Sequence, residues 1–197
     1  RRGWGLGVLA FITGCGDDGT GGSAGQTDSA TGGAMTEVTL KVVPAPETMV
    51  ALRLDDVALS QAQTLLIAAL GSSIEPTGAV YLPDLRRLVF RLEGSGPSVA
   101  YRLDALRKMV GQGAAQDGTA AREAWQNLRN INHVLAPKPT FLWSLSLPAG
   151  GFSGGLHQLL GQLNGAKAQV DWGGGRIWLA HSRTDFDLAV RAIHSYL

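Results

Sequence analysis

The chain has 197 residues, of which 45% are apolar and 17% charged, and a formal net charge of +1. That length holds one domain or a domain with an appendage, and the charge gives no electrostatic case for nucleic acid, which needs a basic patch. A single cysteine excludes internal disulfides and cysteine-based zinc sites, and the four histidines show no metal-ligand spacing.

Residues 1–34 differ from everything after them. Arg1-Arg2 precedes a short apolar stretch from Trp4 to Ile12, then Thr13-Gly14-Cys15, then a run to Gly33 rich in Gly, Ser, Thr and Asp that buries too little to fold. A basic start, an apolar run too short to span a bilayer and small residues before a cut site describe a secretory signal. Its end at Cys15 resembles a bacterial lipoprotein box. On that reading Cys15 is lipidated, the glycine-rich run is a tether, and the protein is a lipid-anchored periplasmic binding protein without enzymatic activity. The other reading is an artefact of the gene start: the chain lacks an initiating Met, and Met35 stands just before the globular part.

From Thr36 the texture is that of a packed domain. Glu37 to Val43 alternates with period two and is β-branched, so it reads as a half-buried strand ended by Pro44 and Pro46. Met49 to Leu54 is a second strand. Asp55-Asp56 then opens a helix with Ala62, Leu65, Leu66, Ala69 and Leu70 on its apolar stripe and Gly71 at its end. Ala79 to Leu82 and Leu88 to Leu92 form a strand pair, and a helix starting near Pro97 places Val99, Leu103, Leu106 and Val110 on one face. Gly111 to Gly118 reads as a polar gap, and Ala120 to Ile131 as a helix with Trp125 and Leu128 inward.

Thr140 to Leu147 is a strand with Phe141, Trp143 and Leu145 on one side, and Leu156 to Leu163 is a short helix. Three glycines between Asp171-Trp172 and Arg176-Ile177-Trp178 read as a tight hairpin, after which Thr184 caps a last helix with Phe186, Ala189, Val190, Ile193 and Leu197 facing the core. Hairpins alternating with covering helices indicate an α+β domain: an antiparallel sheet with helices on one face, built as two ferredoxin-like split-βαβ halves.

The hairpin is the stretch with most chemical content. Trp172 and Trp178 flank the turn and are placed to bury their ring faces together, while Arg176 leaves it as a fixed cation with a flat, bidentate fork. Its bland reading is a packed hairpin with a solvated Arg; its sharper reading is a corner facing a ligand or partner domain. Elsewhere the glycine-rich stretches fail as phosphate loops, because no strand, helix and Lys-Ser/Thr surround them. Gly150 to Gly155 precedes a helix and reads as a connector. No nucleophile stands with a base, so catalysis by this chain alone is unsupported.

Thr36-Glu37-Val38-Thr39-Leu40-Lys41-Val42-Val43-Pro44 resembles the last strand of the flavin domain in FAD-linked oxidases of the vanillyl-alcohol-oxidase type. Arg91-Leu92-Glu93-Gly94, Leu142 to Pro148 and Asp171 to Leu179 are similar to the cap region of one branch, the FAD-binding subunits of bacterial glycolate oxidases. The resemblance implies residues 35–46 as a remnant of the flavin domain's last strand and residues 47–197 as an α+β cap that is incomplete at its C-terminus. It further implies an FAD-dependent 2-hydroxy-acid oxidoreductase that takes glycolate or a similar acid and passes electrons to an iron–sulfur subunit. Partners are then the other glycolate oxidase subunits, in the cytoplasm or peripheral to the inner membrane. Thr36 and Glu37 stand nearest the cofactor, and Trp143, Asp171, Trp172, Arg176 and Trp178 lie on the substrate side. The sequence departs from the pattern in three ways: the glycine-rich head stands where the flavin domain is expected, Ser144 replaces the basic residue expected after Trp143, and the C-terminal flavin-contacting tail is missing. The expectation is therefore a cap that is inactive alone, with FAD bound in the complete subunit and none on this chain by itself.

Overall fold

Strand β1 (Thr48–Leu54) follows directly from its residues: apolar side chains occupy both phases of the alternation, and five of its seven residues are buried. A strand buried on both faces needs cover on both, and that requirement organises the domain. The computed structural model describes residues 45–148, 152–182, 191 and 193, which fall almost wholly in one unit, Pro46–Leu197. The strand expected at Glu37 to Val43 lies outside them, as does most of the last helix. Arg191 and Ile193 are helical, and Ile193 is buried in the core.

The remaining elements are α1 (Leu59–Leu70), β2 (Gly78–Leu82), β3 (Arg87–Gly94), α2 (Gly96–Val110), β4 (Ala114–Asp117), α3 (Gly118–Arg129), α4 (Asn132–Leu135), β5 (Phe141–Ser146), α5 (Ser153–Gln162), β6 (Lys167–Asp171) and β7 (Arg176–His181). The strands form one sheet in the order β4-β1-β3-β2-β6-β7-β5, antiparallel at every pairing.

Connectivity and order together reveal an internal repeat. β1-α1-β2-β3-α2-β4 is a complete split-βαβ unit with order β4-β1-β3-β2, and β5-α5-β6-β7 repeats its first four steps with order β6-β7-β5. The halves meet where β2 joins β6, with Val80 opposite Asp171 and Tyr81 opposite Val170. The α+β class and the two halves are as the sequence implies.

The main core lies on one sheet face. Leu52, Phe90, Tyr81, Val170, Ile177 and Leu179 from the strands pack with Leu66 of α1, Leu106 of α2 and Leu156 of α5. The Tyr81 hydroxyl, inside this core, donates to the Val57 carbonyl at 2.8 Å, as a buried phenol requires. The sequence places helices on this face alone; the structure adds α3 on the other. There Met49, Ala51, Val80, Leu82 and Val89 form a smaller cluster with Ala121 and Leu128, closed by Trp125. Those residues are the second phase of the same strands, and left in water they would forfeit roughly 25 cal/mol for each Å² of apolar surface.

Two local expectations are corrected. The polar gap Gly111 to Gly118 contains β4, an edge strand on β1 with Val50 opposite Asp117. Asp55 and Asp56 do not begin α1, whose N-cap is Ala58. Asp55 instead accepts from Arg87 at 2.6 Å and from Arg53 at 2.9 Å, and Asp56 pairs with Arg86 at 3.0 Å.

Candidate functional site

The β6–β7 corner is set by its glycines. Trp172, Gly173 and Gly174 run in succession through the left-handed region (φ 55°, 63° and 100°). A Cβ on Gly174 would stand 2.3 Å from Cδ1 of the buried Phe152 ring, and one on Gly173 would stand 2.9 Å from Leu70 Cδ1. Glycine is thus specified twice over, by the turn and by the close approach of α5 and α1. Trp172 carries a bulky side chain at positive φ, a conformation that costs on the order of 1–3 kcal/mol and that clusters at functional positions.

Register puts Asp171 opposite Arg176 and Gln169 opposite Trp178, so these four side chains share the face on which α3 ends. The Arg176 guanidinium stacks 4.4 Å from the Trp172 ring centroid and 5.9 Å from that of Trp178. The two indoles do not bury their faces together as the sequence implies: Trp172 is 72% exposed, and the cation lies over both rings. Arginine's flat, weakly hydrated group makes it the better partner, since it keeps an edge for hydrogen bonds while stacked.

Beneath them Gln169 is buried. Its Nε2 donates to the Leu128 carbonyl at 2.8 Å and to Asp171 Oδ1 at 3.1 Å, and its Oε1 has no partner among the described residues. Burial pushes the Asp171 carboxyl above the usual carboxylate range, against hydrogen bonds from Gln169 and Trp178 and the nearby Arg176 charge. The corner therefore offers a cation near two indole rings and a partly desolvated carboxyl, an arrangement suited to holding a small anion with hydrogen-bonding groups.

Of the residues singled out from sequence, Asp171, Trp172, Arg176 and Trp178 are brought together. Trp143 is not: it lies opposite Leu179 on the main-core face, 5.5 Å from Phe141, because Ser144 rather than Trp143 has the phase of Trp178. Thr36, Glu37 and Cys15 lie outside the described residues. Sequence reasoning misses Gln169, since a glutamine inside a strand carries no signal of its own; only its two-residue spacing from Asp171 points to it.

Away from the corner, a concavity of about 490 Å³ opens between α1, α5 and the β2–β3 turn, with Ser60, Arg86, Ser153 and His157 among its lining residues. Neither place fits FAD. The corner is an exposed surface with Trp172 largely in solvent, and the open cleft brings Arg86 already paired to Asp56. No step through a flavin follows from these residues. Among the described residues no cluster of His, Cys, Asp or Glu is fit to hold a metal, and no helix is long and apolar enough to cross a membrane.

Over 153 residues the chain is 28% identical to glycolate oxidase subunit GlcE of Escherichia coli (strain K12), covering 78% of this chain and 38% of that protein. The chain is GlcE-like over most of its length. This agrees with the resemblance carried by the hairpin, and the chain spans about two-fifths of that relative. No family model matches. Among solved structures, an alkyldihydroxyacetonephosphate synthase superposes with a TM-score of 0.47 at 10% identity, covering 77% of this chain and 40% of that one.

Proposed function

We propose that the chain forms the substrate-side cap of an FAD-binding glycolate oxidase subunit and serves the flavin-dependent oxidation of glycolate or a similar 2-hydroxy acid. The observation that carries this reading is the 28% identity to GlcE over 78% of the chain. The corner geometry supports a role for it: Arg176, held over two indoles, is the group to pair with a substrate carboxylate. Hydride transfer is the flavin's chemistry, so the cap's contribution is to bind, orient and keep water out. The cofactor belongs to residues of the complete subunit beyond those described, and the partners are the remaining glycolate oxidase subunits, including an iron–sulfur one.

The test is co-expression with those subunits, followed by purification and glycolate-dependent dye reduction. Co-elution with activity is expected, with Arg176→Ala raising KM for glycolate and leaving kcat nearly unchanged. Failure to co-elute, or an Arg176→Ala enzyme with unaltered KM, removes the reading. The chain purified alone is expected to be colourless, and flavin absorbance there would count against it.

The segment ending at Cys15 favours a second reading, a periplasmic lipoprotein. Cys15→Ala followed by cell fractionation separates the two: loss of membrane association supports the anchor, and unchanged soluble behaviour removes it.

A further inference from the structure

We propose that Gln169 is a positioning residue of the β6–β7 corner: its buried amide, with the Trp178 indole N–H, holds the Asp171 carboxyl away from Arg176 and keeps the arginine fork open for an anion. That role rests on the proposed function, in which Arg176 receives a substrate carboxylate. The register makes the open fork an exception. Asp171 and Arg176 stand directly opposite each other on β6 and β7, where side chains of opposite charge are within reach and attract. Arg53, Arg86, Arg87 and Arg91 each pair with a carboxylate at 3.3 Å or less. Arg176 has an acid across the ladder, yet it keeps only its two ring contacts and makes no ion pair or hydrogen bond among the described residues.

Two donors hold Asp171 back. Gln169 Nε2 donates to Asp171 Oδ1 at 3.1 Å and to Oδ2 at 3.4 Å, and Trp178, diagonal to Asp171 across the ladder, gives a further side-chain bond. The amide cannot turn round. Its Nε2 is also claimed by the Leu128 carbonyl at 2.8 Å, near the end of α3, and a flipped amide would set Oε1 against two acceptors. Gln169 is 1% exposed, and its Oε1 is left with no donor. A buried acceptor without a partner is unfavourable and calls for a reason. Here the reason is that Nε2 is fixed from two sides, which leaves Oε1 no choice of direction.

Without those donors the carboxyl is free to turn to Arg176, where a planar guanidinium takes a carboxylate through two parallel bonds. The fork would then be filled by the protein's own acid, and an incoming carboxylate would have to displace it. Gln169 touches no substrate in this scheme. It acts through Asp171, and its effect on binding disappears when Asp171 loses its charge.

Glycolate titration of the full chain, followed by tryptophan emission, tests this. The wild type is expected to bind, and Arg176→Ala to lose binding. Gln169→Met is unbranched and similar in size but has no donor, and it should raise the apparent Kd about fivefold, the worth of a partly exposed ion pair. Adding Asp171→Asn to it should restore wild-type affinity, with a larger gain than the same change gives in the wild type. Should Gln169→Met lose its fold by far-ultraviolet dichroism, Trp178→Phe decides, since it keeps a ring and deletes the other donor to Asp171. The same weakening and the same recovery are then expected. A folded variant that binds as the wild type does, while Arg176→Ala does not bind, overturns the role of Gln169 and leaves the proposed function standing. So do equal gains from Asp171→Asn in both backgrounds, because Gln169 then does not act through Asp171. A wild type and an Arg176→Ala chain that bind alike, or not at all, remove the corner's part in the proposed function and this role with it.

Discussion

Asp171 shows how one residue registers its surroundings. Burial raises its carboxyl pKa above the ordinary value of 3.8, and the bonds from Gln169 and Trp178 with the Arg176 charge only partly offset this. A carboxyl whose folded pKa is raised favours folding in its protonated form. That contribution is complete below about pH 3.8 and is lost as pH rises through the folded pKa. At neutral pH the ionised group is a liability, and Asp171→Asn, which keeps an acceptor for Gln169, is expected to raise the urea midpoint at pH 7. The two curves should converge near pH 3. Asp55 has the opposite sign: the hydrogen bond from Arg87, with the charges of Arg87 and Arg53, holds its pKa below 3.8 against the opposing effect of burial. Its contribution is present above that pH and lost as pH falls through the folded pKa. Because the pairs are exposed, Asp55→Asn should cost at most about 1 kcal/mol at pH 7, measured by the same titration.

At the scale of elements, the glycines separate tight places from open ones. Gly174→Ala meets both a positive φ and the Phe152 ring, and a loss of about 2–4 kcal/mol is expected in thermal unfolding. Gly161 lies within α5 with nothing near its would-be Cβ, so Gly161→Ala should gain about 0.5–1 kcal/mol. The same contrast explains what is legible in the sequence. β1, β2, β3 and α2 carry strong period-two or period-3.6 apolar patterns, and each forms within a few residues of its expected span. β4 has none: Ala-Ala-Gln-Asp becomes a strand because β1 offers it a ladder. The start of α1 is misread because Asp55-Asp56 resembles a helix opening, whereas Arg53, Arg86 and Arg87, two of them distant in sequence, claim the carboxylates first. The corner is legible as a cluster but not in its stacking, since hairpin phase is local, whereas Leu70 and Phe152, which crowd the turn at Gly173 and Gly174, are distant in sequence.

The whole molecule poses the question of whether two halves make one folding unit. Their sheet junction is thin, with only Val80–Asp171 and Tyr81–Val170 paired across it, and two independent transitions would be natural if strands alone decided. The core argues otherwise. Leu66 of α1 and Leu156 of α5 belong to one continuous apolar cluster that includes strands of both halves, and Ser153 N–H donates across the boundary to Gln63 Oε1 at 2.8 Å. Removing Leu66 therefore takes support from both sides at once. Leu66→Ala is expected to cost about 2–5 kcal/mol, the range for a leucine buried this fully. The loss should appear equally in hydrogen-exchange protection of β3 and β7 amides, one strand from each half. Protection lost in β3 alone, with β7 unchanged, would mean that the halves unfold separately and that the shared core couples them weakly.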